Sequence, residues 1–356
     1  MVYGYASRDP DANGGLERLE WLLARALAEA GWSVAIAVPE RLCAGQEEII
    51  DGVRFVGMGP ASGARRYMAA WAEFLEAEAP DWWYWQGADP LWCALLRKAR
   101  EKGVRTMFSA AFDTDVLPRR ALTRRRWLWP LYAWGLHSVD RIFVQHSGQL
   151  HSLSPCLQAK AEVLPGVVTL RSNVRARAMR GDYVAWVAVV RRPKRPDLLI
   201  EMARMAPDVR FVVCGGTSTH RTPEGYSERM VYEMAKLPNV DYLGHVDPTR
   251  TLEIIGNAVA LLSTSDGEGF PSTFLEAWAA GTPVVSLEID PGGVIKEKGL
   301  GFVSGTLEQA AADVRTLLRS MEIFESVSER VRSHVANMHC SEAVGKVFDR
   351  CVREAK

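Results

Sequence analysis

Two stretches of this 356-residue sequence carry residue types and spacings suited to handling a diphosphate. The first, residues 266–281, reads DGEGFPSTFLEAWAAG and places Glu268 eight positions ahead of Glu276, with Gly269, Phe270 and Pro271 turning between them. Gly269 lets backbone approach a ligand closely. The amides of Ser272 and Thr273 open a helix, and a helix start joins unpartnered N–H groups to the positive end of the dipole, a natural phosphate cradle. Glu268, ahead of the turn, can accept hydrogen bonds from hydroxyls. Glu276, about one helical turn inside, can reach a ribose diol. The second stretch, residues 187–201, reads VAVVRRPKRPDLLIE. Here a strand runs into Arg191, Arg192, Lys194 and Arg195, and Pro196 starts the next helix. Fixed positive charge at a strand's carboxyl end suits two phosphates and stabilises a developing leaving-group anion.

Other groups are less specific. Asn13, Gly14 and Gly15 form a tight turn between the first strand and the first helix. Residues 108–116, FSAAFDTDV, follow a strand and contain the triplet Asp113-Thr114-Asp115. A lone triplet of this form is a weak pointer to metal, and Asp113 reads instead as a polar cleft residue. Residues 119–134, RRALTRRRWLWPLYAW, combine five arginines with Trp127, Trp129, Tyr132 and Trp134. Basic residues beside tryptophans suit the surface of an anionic membrane. A helix with inward tryptophans and solvated arginines accounts for the same composition. His137, His146 and His151 have no carboxylate at ligand spacing and read as polar or core histidines, so no metal site is expected.

The elements that must position these residues alternate short apolar runs with helix-period segments, the βαβ signature. In the first half, strands are expected at 2–5, 33–38, 53–56, 82–85, 105–109, 141–144 and 161–164, with helices at 16–30, 65–78, 91–101 and 121–137. Leu16, Leu19, Leu22, Leu23, Ala26 and Leu27 give the first helix one apolar face, and Gly31 closes it. The polar, Arg-rich stretch 169–182 reads as a linker. In the second half, strands are expected at 183–190, 209–214, 241–243, 259–263 and 282–287. Helices fill 196–205, 227–235, 248–256, 272–280 and 306–320, and 322–354 reads as helical throughout. The fold class is α/β, with two doubly wound, Rossmann-like domains facing a cleft. Ligands in open parallel sheets sit at the carboxyl ends of strands, where both diphosphate candidates fall.

Bulk properties narrow the function. The length favours two domains. Lys+Arg and Asp+Glu are both 43, and a chain with no basic excess is a poor candidate for nucleic acid. Six scattered cysteines without a CxxC pair read as reduced thiols of a cytosolic protein. Arg8, Asp9 and Asp11 interrupt any leader, and no run of about 18 apolar residues is present to span a membrane. The expectation is a cytoplasmic protein, soluble or peripheral on the inner face of the membrane.

On EGFPSTFLE and the following AWAAGTPVV, the sequence resembles the GT-B glycosyltransferases of family 4, whose hallmark is a Glu-x7-Glu motif in this context. The resemblance implies a retaining enzyme that moves a sugar from a UDP- or GDP-sugar to an acceptor hydroxyl. The leaving diphosphate takes the acceptor's proton, and neither metal nor other cofactor is required. Lys194, directly before Arg-Pro-Asp-Leu-Leu-Ile, matches the family lysine that clamps the diphosphate. The usual arginine position, five residues earlier, holds Val189, so Arg191 is expected to substitute. Glu268 would orient the sugar and Glu276 hold the ribose, with Gly269, Phe270, Pro271, Ser272 and Thr273 completing the donor cradle. Gly14 and Gly15 match a Gly-Gly pair that faces the donor phosphates. Many members carry a histidine near 108–116; none stands there, and Asp113 in that stretch would contact sugar or acceptor.

The resemblance also implies an acceptor domain at 1–168, a donor domain at 183–335 with base readers around 244–247, and a final helix, 336–356, packing back on the first domain. The acceptor would be a carbohydrate or lipid-linked, in the assembly of a surface polysaccharide, lipopolysaccharide or glycolipid. A nucleotide-sugar epimerase on the same fold and a non-catalytic glycosyltransferase-like scaffold stay open as alternatives.

Overall fold

The structure, a computed structural model, describes residues 15–38, 45–59, 63–121 and 126–353. The chain forms two compact units, Met1–Val167 with His339–Lys356, and Val168–Met338. The strand expected at 2–5 and the residues Asn13 and Gly14 lie outside the described residues.

The first unit contains strands β1 (Ala35–Val38), β2 (Glu47–Ile50), β3 (Val53–Gly57), β4 (Trp82–Gln86), β5 (Arg105–Ser109), β6 (Arg141–Val144) and β7 (Ala161–Val163). Among the described residues they make two sheets, β1-β3-β2 and β4-β5-β6-β7, the second wholly parallel. β2, not anticipated from the sequence, is antiparallel to β3 across Asp51-Gly52, both at positive φ. An Asp-Gly pair is the usual signal for such a hairpin. β4 reads WWYWQ, and Trp83, Tyr84 and Trp85 are all buried, as in a parallel strand covered on both faces. Trp71, Trp85, Trp92, Phe108 and Tyr132 continue this aromatic core, with Trp92 stacked 5.4 Å from Phe108.

Of the helix expected over 121–137, residues 122–125 lie outside the described residues, and the described part is helical over Pro118–Ala121 and Trp129–Ser138. Pro130 sits in the first turn of the second piece, where its missing N–H and fixed φ favour a helix start. Residues 322–354 likewise divide, into helices Met321–Met338 and Ser341–Arg353. Phe324, Val327, Val331 and Val335 bury the former in the second unit, so residues 336–338 belong there. The latter packs in the first unit on helix Gly15–Glu29 through Val344, Phe348 and Val352. Trp32 seals that contact, its indole N–H donating to Asp349 at 2.5 Å and its ring edge-on to Phe348.

The second unit is one six-stranded sheet of β8 (Tyr183–Val187), β9 (Arg210–Cys214), β10 (Val240–Tyr242), β11 (Ala260–Ser263), β12 (Val284–Ser286) and β13 (Gly301–Val303). The order is β10-β9-β8-β11-β12-β13, with every pair parallel. The short helix Val294–Lys298 and β13 after it give too few residues for a period to show in the sequence.

Residues 168–182 are no free linker. Arg177 and Arg180 are both buried in the second unit. The Arg177 guanidinium reaches Asp182 at 2.5 Å and the Leu318 carbonyl at 3.2 Å. Arg180 donates to the carbonyls of Ala258 (3.2 Å) and Ala280 (2.7 Å) and to the Thr282 hydroxyl (2.7 Å). Ala258 and Ala280 cap the C-termini of helices Pro248–Asn257 and Ser272–Ala279, so one cation satisfies orphan carbonyls at two negative dipole ends.

On helix Gly15–Glu29, Glu20 is 2% exposed, and its Oε1 has no hydrogen-bond partner among the described residues. Burial pushes its carboxyl up to about 8. The folded chain therefore holds the proton that the unfolded chain releases above the usual value of 4.5. Stability from this group is present below that value and is lost as pH rises through about 8. Glu20→Gln should melt like the wild type near pH 4.5 and several degrees higher at pH 8.5, measured by thermal denaturation across that range. A difference independent of pH would refute the assignment.

Candidate functional site

β8 and β11 are parallel neighbours, pairing Val184 with Ala260 and Ala185 with Leu261. From β8 the chain moves outward to β9 and β10, and from β11 it moves the other way to β12 and β13. The strand order thus reverses between them, and loops leaving their carboxyl ends diverge around a crevice. Those two loops are tied at the base. The buried Trp186 indole donates to Thr264 Oγ1 at 3.0 Å, and the Thr264 hydroxyl donates to the Lys194 carbonyl at 2.7 Å. The Asp266 amide donates to the Pro193 carbonyl at 3.0 Å. Behind them, Gly215 has φ 154°, and a Cβ on it would fall 1.7 Å from the Ala188 carbonyl oxygen. Only glycine permits that approach.

Lys194, Thr264, Ser265, Glu268, Pro271 and Thr273 line the resulting crevice. Within it the Lys194 ammonium and Glu268 Oε1 form an ion pair, with side chains only 19% and 13% exposed. A cation and a carboxylate withdrawn together from water are costly to separate unless a ligand replaces one of them. Helix Ser272–Ala279 begins at this wall and directs its first-turn amides outward from its start.

The other residues singled out by sequence are distributed differently. Arg195 is not available to a phosphate: it bonds Asp197 at 2.8 Å and Asp266 at 3.0 Å, which raise its pKa further. The basic loop therefore does not offer four cations. Arg191 is half-buried with its Nε unpartnered among the described residues, and it does not line the crevice. Gly269, Phe270, Ser272 and Glu276 are also not part of the lining. Phe270 packs edge-on against Trp278 at 5.9 Å, and Glu276 is buried on its helix. Gly15, in the first unit, is the exposed first residue of helix Gly15–Glu29.

Asp113 lies beyond the carboxyl end of β5 in the first unit. Its Oδ1 accepts from His146 Nε2 at 2.9 Å and from Gln149 Nε2 at 3.0 Å. Asp115 instead accepts from the amides of Ala111 and Phe112, so the two carboxylates of the triplet serve separate protein donors. In sequence, His146 reads only as a polar or core histidine, not as a partner of Asp113. Its position directly after strand 141–144 was the available signal. Of the aromatic residues in 119–134, Tyr132 points inward and donates to the Asp115 carbonyl at 2.8 Å. Trp127, Trp129 and Trp134 are exposed, Trp127 to 76%, and Arg119 stacks 5.0 Å from the Trp129 ring. The inward-tryptophan alternative does not describe these three. Among the described residues, no helix is long and apolar enough to cross a membrane.

Residues 172–334 match the family model described as glycosyl transferases group 1, and residues 13–171 match the model described as Glycosyltransferase Family 4. A D-inositol 3-phosphate glycosyltransferase of Mycolicibacterium paratuberculosis is 30% identical over 243 residues, 61% of this chain and 54% of that protein. The chain spans about half the length of the curated relatives it matches. Among solved structures, sucrose-phosphate synthase from Thermosynechococcus elongatus superposes with a TM-score of 0.79 at 16% identity, covering 97% of this chain and 94% of that one. Anabaena HepE in complex with UDP and glucose gives 0.72 at 12% identity, covering 98% and 97%. At these identities the structures speak to fold.

The ion pair in the crevice makes a direct prediction. Glu268→Gln keeps the side-chain volume but removes the charge that neutralises Lys194. Isothermal titration with inorganic pyrophosphate should show several-fold tighter binding than the wild type. Unchanged or weaker binding would mean that Glu268 does not hold the ammonium back from anions.

Proposed function

We propose, from the premise that this chain belongs to the family 4-like glycosyltransferases of GT-B fold, that it transfers a sugar from a UDP- or GDP-sugar to an acceptor hydroxyl with retention of configuration. The observation that carries this reading is the Lys194–Glu268 pair in the switch-point crevice, beside the start of helix Ser272–Ala279. A donor diphosphate takes the place of Glu268 on the Lys194 ammonium and meets the helix amides. The freed Glu268 carboxylate then accepts hydrogen bonds from the sugar's hydroxyls. Arg191, with guanidinium capacity to spare, adds positive charge, and Glu276 holds the ribose. The bond from the anomeric carbon to the diphosphate breaks as the acceptor oxygen bonds that carbon on the same face, and the acceptor's proton passes to the departing diphosphate oxygen. Positioning and charge stabilisation carry the rate, and the scheme calls for no divalent metal.

The bound UDP and glucose of the HepE structure and the inositol phosphate named for the sequence relatives support a nucleotide-sugar donor and a carbohydrate acceptor. The acceptor belongs to surface polysaccharide, lipopolysaccharide or glycolipid assembly on the cytoplasmic side. Exposed Trp127, Trp129 and Trp134 beside Arg119 and Arg120 favour peripheral contact with an anionic membrane there.

Thermal-shift comparison of UDP, GDP and ADP identifies the donor class, because a ligand stabilises the state it binds. UDP or GDP should raise the melting temperature of the wild type and leave Lys194→Ala unmoved, while Glu268→Gln should melt normally and transfer no sugar. Full turnover by Glu268→Gln, or a donor epimerised without acceptor, overturns the reading. For the membrane, the wild type should sediment with vesicles containing phosphatidylglycerol and not with pure phosphatidylcholine, and the double variant Trp127→Ala, Trp134→Ala should sediment with neither. Equal sedimentation of wild type and variant removes the membrane contact.

A further inference from the structure

Resting on the transferase reading above, we infer that Asp113 is an acceptor-recognition residue positioned by His146 and Gln149, and that it selects neutral polyol hydroxyls over an acceptor bearing phosphate at that place. β5 and β6 are parallel neighbours, pairing Phe108 with Ile142 and Ser109 with Phe143, so their exit loops lie side by side at the carboxyl edge of the sheet. The loop after β5 is folded by Asp115, which takes the Ala111 and Phe112 amides at 2.9 and 3.0 Å and is anchored by Tyr132 on its carbonyl. Asp113 is thus not needed to hold the turn. The loop after β6 delivers His146, nine-tenths buried, and then Gln149, 1% exposed. Gln149 Oε1 accepts from the Gln145 amide at 2.8 Å, which fixes its NH2 group toward Asp113.

Both donors converge on Asp113 Oδ1, and Oδ2 is left without a partner among the described residues, on a side chain still 60% exposed. A carboxylate only accepts, so His146 carries its proton on Nε2 in this contact. His146 Nδ1 is then buried with no partner among the described residues, a desolvation cost that ordinary packing avoids. An exposed aspartate ordinarily rotates freely in water. Fixing one from beneath with two buried donors gains little stability, but it aims the remaining lone pairs in one direction, the requirement of a recognition group. Those lone pairs accept O–H donors, and their negative charge opposes a phosphate.

The test is initial-rate kinetics on the intact chain with UDP-glucose and GDP-mannose as donors, and myo-inositol and D-myo-inositol 3-phosphate as acceptors. The wild type should prefer myo-inositol. Asp113→Ala and His146→Ala should raise the acceptor KM about tenfold, the loss of roughly one fixed hydrogen bond, with the donor KM unmoved. His146→Gln, which keeps an N–H donor at similar reach, should recover most of that loss, and Asp113→Asn should narrow the preference against the phosphorylated acceptor. The inference is overturned if donor and acceptor KM rise together, if His146→Gln is no better than His146→Ala, if the wild type prefers inositol 3-phosphate, or if neither acceptor is used. Binding of UDP and GDP to the wild type separates the cases. With a donor nucleotide bound, these results remove the Asp113 assignment alone, and with neither bound the transferase reading falls and this inference with it.

Discussion

The site in the second unit depends on the parallel pairing of β8 with β11. That contact sets two sequence-distant loops beside each other, and the Trp186–Thr264–Lys194 relay fixes their spacing with hydrogen bonds to backbone. The lysine and the glutamate then meet in a space too dry for either to be at ease alone. Their mutual attraction is the resident answer to that problem, and a ligand that gave each group a partner of its own would be another. The arrangement holds the cation in place at the crevice wall. Arg195, locked by Asp197 and Asp266, acts on the loop's shape, so charge count in the basic stretch overstates what is offered to ligand.

The two units reach their rigidity by different means. The second is a regular sheet of aliphatic parallel strands, with two buried arginines tying the incoming chain to helix ends. The first relies on tryptophan: β4 carries three, and Trp71 and Trp92 pack around them. Large flat rings fill volume with few rotatable bonds, which makes a stiff core from a short sheet. Stiffness matters at the carboxyl edge, where the turn built on Asp115 and the loop carrying His146 must hold their places.

Much of this was legible in the sequence. The parallel α/β class followed from apolar runs separated by helix-period segments, and Lys194, Glu268, Pro271 and Thr273 do share one crevice. What the sequence hid has physical reasons. Composition reads arginine as solvated, so Arg177 and Arg180 suggested a linker, whereas their meaning lies in carbonyls about 80 to 140 residues away. The break at His339 and Cys340 carries no proline or glycine to announce it. The Asp113–His146 contact joins residues 33 apart through the adjacency of β5 and β6, which no local pattern reports. The Asp51-Gly52 hairpin, by contrast, carries its signal in the dipeptide itself.

Helix Ser341–Arg353 lies against helix Gly15–Glu29, although the whole second unit intervenes in the chain. The order of synthesis therefore differs from the order of completion. Residues 168–338 are contiguous and can close their core as soon as they emerge, while the first unit must wait, with Trp32 and Phe143 lacking a ring partner, for Phe348 to arrive. A nascent chain of this protein thus carries a finished second unit attached to an unfinished first one, and chaperone capture or early proteolysis will fall on the half that was made first.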